Sequence, residues 1–133
     1  MTETAAIDVW AAAAAYLLIK HAIADFFLQT AFQYRNKGKY GHPGGVVHVA
    51  IHAALTSPVL LILPPRTIAV GAGILLAEAL FHYHIDWSKD QVVNRWQLTP
   101  VDNGYWRALG VDQMLHGLTY VGIVWALASK LEF

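Results

Sequence analysis

Four apolar stretches dominate the sequence, each near the length a helix needs to cross a bilayer core of about 30 Å. They run approximately over residues 7–32, 46–63, 67–87 and 111–131. Between them lie "YRNKGKYGHPGG", the tight "PPR" at Pro64 to Arg66, and the polar "SKDQVVNRWQLTPVDNGYWRALG", so the second and third stretches are expected to form a hairpin. Of the 133 residues 56% are apolar and 14% charged, with mean hydropathy +0.41, which is too apolar for an ordinary soluble chain of this size. The expected fold is all-α: one membrane domain over residues 1–133, a four-helix bundle with an interfacial segment between the third and fourth spans. The aromatics Trp87, Trp96, Tyr105 and Trp106 around that segment suit headgroup depth.

Composition also excludes chemistry. With no cysteine, disulfides, thiolate ligands and cysteine nucleophiles are absent, and any metal must be held by His, Asp and Glu. A formal net charge of zero argues against nucleic acid as a partner. Glu3 and Asp8 stand where a signal peptide would carry basic residues, so the first span is expected to remain in the mature chain. Arg35, Lys37, Lys39, Lys89, Arg95 and Arg107 fall on one side and Arg66 and Lys130 on the other; this bias predicts a multi-pass protein with both termini outside the cytoplasm.

Polar residues within the apolar stretches carry the functional signal. His21 and Asp25, His48 and His52, His82 and Asp86, and Asp112 and His116 are each four residues apart, hence about 40° apart around a helix and on one face. In the expected topology all of these pairs fall in the cytoplasmic half of the membrane. Side chains facing one another from several helices are how bundles build metal sites, and imidazole with carboxylate suits Zn, Mn or Fe(II). These eight residues are the candidate ligands for one or two divalent ions, zinc first. Gln29, Gln113 and Lys89 are candidates to support the ligands. Glu78, one turn before His82, is expected to orient that ring or, less readily, to be a third ligand beside His82 and Asp86, and left unligated it could serve, like Asp112, as a catalytic base. His84 points about 160° from His82 and is set apart, as is His42 in a loop. Membrane helices also use His, Asp and Gln as hydrogen-bonding links, each worth about 1 kcal/mol, so an unmetallated polar core stays an alternative.

The motifs "HAIADFFLQT", "HVAIH", "HYHIDWSK" and "DQMLH", in this order along essentially the whole chain, resemble the family of small bacterial membrane proteins known as domain of unknown function 3307. That resemblance implies an inner-membrane location and implicates His21, Asp25, Gln29, His48, His52, His82, Asp86, Lys89, Asp112, Gln113 and His116; it implies no activity. The chemistry of the residues leaves three functions open. One is a metal-dependent hydrolase working near the cytoplasmic leaflet, on a lipid or membrane peptide. A second is a structural or assembly protein with a metal or hydrogen-bonded core, compatible with a homo-oligomer. The third, a metal or proton transporter, is disfavoured by the apolar "ALTSPVLLIL" and "YVGIVWALAS" beyond the polar stripes.

Overall fold

The computed structural model describes residues 3–129. Among them every regular element is helical: α1 (Glu3–Ile23) runs into a π turn (Ala24–Leu28), followed by α2 (Ala31–Tyr34), α3 (Pro43–Thr56), α4 (Val59–Ile62), α5 (Ile68–Arg95) and α6 (Asn103–Ala128). Three helical segments are long and apolar enough to cross a membrane: Glu3–Leu28, Pro43–Ile62 and Ile68–Arg95. The fourth expected span lies on α6, which is not among these three, and its far end, with Lys130 and Leu131, falls outside the described residues.

Local chemistry sets the boundaries. The break after the π turn is secured by a capping box, in which Thr30 N–H donates to Gln33 Oε1 at 2.6 Å. Pro43 opens α3, where a missing N–H costs nothing, and the His42 ring caps it by accepting from Gly44 N–H at 3.0 Å. Gly44 is required there, because a Cβ would stand 2.6 Å from the backbone oxygen of Phe32. Ser57 and Pro58 separate α3 from α4, so the second expected span is two helical pieces. Thr67 caps α5, accepting from Val70 N–H at 3.2 Å.

The connection between the third and fourth spans differs most from expectation. Ser88 to Arg95 continue α5 and Asn103 to Gly110 begin α6, which reduces the expected interfacial segment to residues 96–102. A Schellman closure stops α5: Leu98 N–H reaches Val93 O at 2.9 Å and Gln97 N–H reaches Asn94 O at 3.3 Å. Gln97 takes the left-handed position, with φ 49°. Asp102 then accepts from both Thr99 N–H and Thr99 Oγ1–H at 2.8 Å, and these bonds hold its carboxyl below the usual carboxylate range.

α1 packs on α3 and α6, and α5 on α3 and α6. The interior is divided along its length. Ala13, Leu17, Val59, Leu63, Ile123 and Leu127, with the Tyr120 ring, form an apolar core at one end. Toward the other end, where α1 and α5 finish and α3 and α6 begin, the buried residues include Lys20, His21, Lys37, His48, His52, Glu78, His82, Asp86, Asp112 and His116.

Candidate functional site

The four-residue spacing does what helical geometry requires, with one modification. His21 sits in the last turn of α1, and Asp25 on the π turn that follows it; the wider turn, a feature common at functional sites, re-aims that carboxylate across the interior. Its Oδ1 lies 3.1 Å from His52 Nε2 and 3.2 Å from His48 Nε2, and its Oδ2 3.3 Å from His21 Nε2. On α5, Asp86 Oδ2 stands 3.1 Å from His48 Nε2 and 3.5 Å from His82 Nε2. His48 Nε2 and His82 Nε2 are themselves 3.2 Å apart. From α6, His116 Nε2 lies 3.7 Å from Asp86 Oδ1 and 3.8 Å from Asp112 Oδ1. All eight candidate ligands therefore gather in one buried cluster.

One proton on His48 Nε2 cannot point at Asp25, Asp86 and His82 together. Four lone-pair or ring-nitrogen atoms in the cluster are buried with no hydrogen-bond partner among the described residues: His82 Nδ1, Asp86 Oδ2, Asp112 Oδ1 and His116 Nε2. Unsatisfied buried polar atoms call for an explanation such as a bound ion, and the separations fit one. Donors around a tetrahedral ion with bonds of about 2.0 Å lie roughly 3.3 Å from each other. Three sets have donor atoms within 4.8 Å of one another: His21, Asp25, His52 and His82; His48, His82 and Asp86; and Asp86, Asp112 and His116. These buried His and Asp groups can hold a metal ion.

Surrounding groups fix the rings. Tyr120 OH meets His21 Nδ1 at 2.9 Å, Gln29 Nε2 meets His48 Nδ1 at 3.2 Å, and Lys20 Nζ approaches His52 Nδ1 at 3.4 Å. Gln113 contacts His21 Nε2 through Oε1 at 3.2 Å and donates to Asp112 Oδ2 at 3.0 Å. Gln29 and Gln113 thus stand where support for the ligands was expected. Lys89 instead pairs with Asp90 at 2.7 Å and makes no hydrogen bond or ion pair with the eight among the described residues. The expected contact of Glu78 with His82 is also not made. Glu78 Oε1 accepts from Lys20 Nζ at 2.6 Å and from Thr56 Oγ1 at 2.9 Å, because Lys20 on α1 reaches the same level and a full charge outcompetes a neutral ring.

Lys37, counted in the sequence only as a loop charge, turns inward to Asp86 Oδ1 at 3.1 Å. Thr56 and Tyr120 were also missed, though each lies four residues beyond a stripe histidine. His84 is exposed and bonds Tyr40 and the Leu80 carbonyl, and His42 is the α3 cap; neither joins the cluster. A cavity of about 320 Å³ adjoins it, with Asp25, Gln29, Lys37, Lys89, Asp112 and Gln113 in its lining.

The structure defines an all-helical chain with helices of membrane-crossing length around a His/Asp cluster able to hold metal. Residues 14–132 match the family described as "Protein of unknown function (DUF3307)", and the chain belongs to that family. No curated protein and no solved structure matches the chain.

Proposed function

We propose that the chain is a four-span bundle of the bacterial inner membrane that binds a divalent metal, zinc first, and uses it to hydrolyse a bond presented at the cytoplasmic leaflet. The observation that carries this reading is the run of buried His and Asp donors lying within 4.8 Å of one another, in which Asp86 Oδ2 and His116 Nε2 have no hydrogen-bond partner among the described residues. Nitrogen and oxygen donors without thiolate suit Zn, with Mn or Fe the next choices. Charge supports one ion more than two: the ammonium groups of Lys20 and Lys37 face the carboxylates of Asp25, Glu78, Asp86 and Asp112, leaving two negative charges, which one divalent ion cancels.

When bound, such an ion supplies Lewis acidity and brings the pKa of water toward neutrality. The chain's own part is positional. Tyr120, Gln29 and Lys20 hold the imidazoles, and Asp112, which lines the polar cavity and has a free Oδ1, is the group placed to accept a proton. Glu78, whose Oε1 is held by Lys20 and Thr56 and whose Oε2 has no hydrogen-bond partner among the described residues, does not line that cavity. A metal with only a structural role is the second reading, favoured by the three histidines His21, His48 and His52 within 3.3 Å of Asp25.

Elemental analysis of the purified protein tests the proposal, with about one equivalent of transition metal expected, lowered in His52→Ala and His116→Ala. Asp112→Asn separates the readings. Retained metal with lost turnover fits a base, and joint loss of metal and thermal stability fits a structural ligand. Protein that holds no metal, and whose melting is unmoved by Zn, Mn or Fe, would overturn both.

A further inference from the structure

A second cavity, about 540 Å³, lies along the α5–α6 seam and shares Lys89 and Asp112 with the first. Phe81, Ile85, Val92, Val111 and Leu115 make its walls, and Gly104 and Ala108 are small enough to leave it deep. Deeper along the same seam a further cavity of about 480 Å³ shares Phe81, Ile85 and Leu115 and extends past Ala77, Gly122 and Ala126. Together they form one apolar trough, of a size met in small-molecule sites, on a face where Phe81, Val111 and Leu115 are exposed.

An apolar trough alone would accept any lipid tail. What selects an occupant is its loop-side end, where Arg107 and Lys89 line the same cavity as Asp112. Lys89 is neutralised by Asp90 at 2.7 Å, whereas Arg107 has no hydrogen bond or ion pair among the described residues. A guanidinium without an ion-pair partner among the described residues, at the head of an apolar trough with the exposed indole of Trp96 beside it, has the layout of a headgroup site.

We infer that the α5–α6 trough seats an anionic phospholipid, its phosphate on Arg107 with Lys89 adjacent and an acyl chain laid along the seam toward Ala126, which sets the lipid's ester and phosphodiester region beside Asp112. This names the substrate class for the proposed hydrolase and rests on that reading only for the chemistry; the binding itself requires no metal.

The test is retention of lipid by the full chain, purified in mixed micelles holding equal phosphatidylglycerol and phosphatidylcholine and read by native mass spectrometry. Wild type is expected to retain the anionic lipid about fivefold over the neutral one, the order expected for one basic side chain at a membrane surface. Arg107→Gln should bring the ratio close to one, while Arg35→Gln, outside the trough, should leave it unchanged. Ala108→Trp, which fills the trough, should lower retention of both lipids. Equal retention of both lipids by wild type, or an equal effect of Arg107→Gln and Arg35→Gln, would overturn the inference. The metal is measured on the same samples. Preference kept in metal-free His52→Ala protein supports the lipid seat apart from the metal, and metal-loaded wild type without preference sinks the seat and leaves the metal reading standing.

Discussion

Lys20 and Glu78 show how this interior tolerates charge. Both are almost fully buried, and their 2.6 Å contact ties α1 to α5, so removal of one partner strands the other in a low-dielectric interior. Lys20→Met should therefore lower stability by roughly 3–5 kcal/mol, and Lys20→Met combined with Glu78→Leu should recover most of that loss, as measured by thermal unfolding in one detergent. A single variant that melts like wild type would mean the pair is solvated. The eight stripe residues could be read from spacing because residues four apart must share a helix face. Continuing the count by one more turn would have reached Thr56 and Tyr120, which touch Glu78 and His21. Lys37 was not legible: a loop residue has no periodicity, and its inward path to Asp86 depends on how the segment after α2 folds back. The partner of Glu78 was equally hidden, since the relative heights of α1 and α5 decide it.

At the scale of the element, a change of hydropathy does not mark the end of a helix. Residues 88–95 are polar but contain nothing that breaks a helix, so α5 continues until the left-handed Gln97 closes it. Glycine tolerates that conformation without the steric cost of a Cβ, so Gln97→Gly should raise stability by up to about 1 kcal/mol. A lower melting temperature would show that the Gln97 side chain contributes more than its backbone conformation costs. The π turn lay beyond pattern reading too. "ADFFL" has no signature of a widened turn, and only packing against His48 and His52 gives Asp25 a reason to be re-aimed.

Across the whole molecule, polar and apolar interiors occupy opposite ends, and the four stripes meet at the polar one. The orientation proposed from the basic residues has a direct check. Cysteines at Lys39 and Asn103, both exposed, should be protected from an impermeant thiol reagent in intact cells, and one at Ser129 should be labelled. Lys37 is unsuitable because it is buried against Asp86. Labelling of Lys39→Cys from outside would reverse the orientation without altering the cluster. The length of α5 carries a further consequence. Its 28 residues measure roughly 42 Å, against about 30 Å of hydrocarbon, so with Ile68 at the far boundary the near one falls close to Trp87, one residue beyond Asp86. In the proposed membrane placement α5 acts as a ruler that holds the cluster at the waterline. A host membrane a few ångströms thinner would lift Asp86 and Asp112 into the hydrated headgroups and a thicker one would draw them under, making bilayer thickness a setting for how wet the site is.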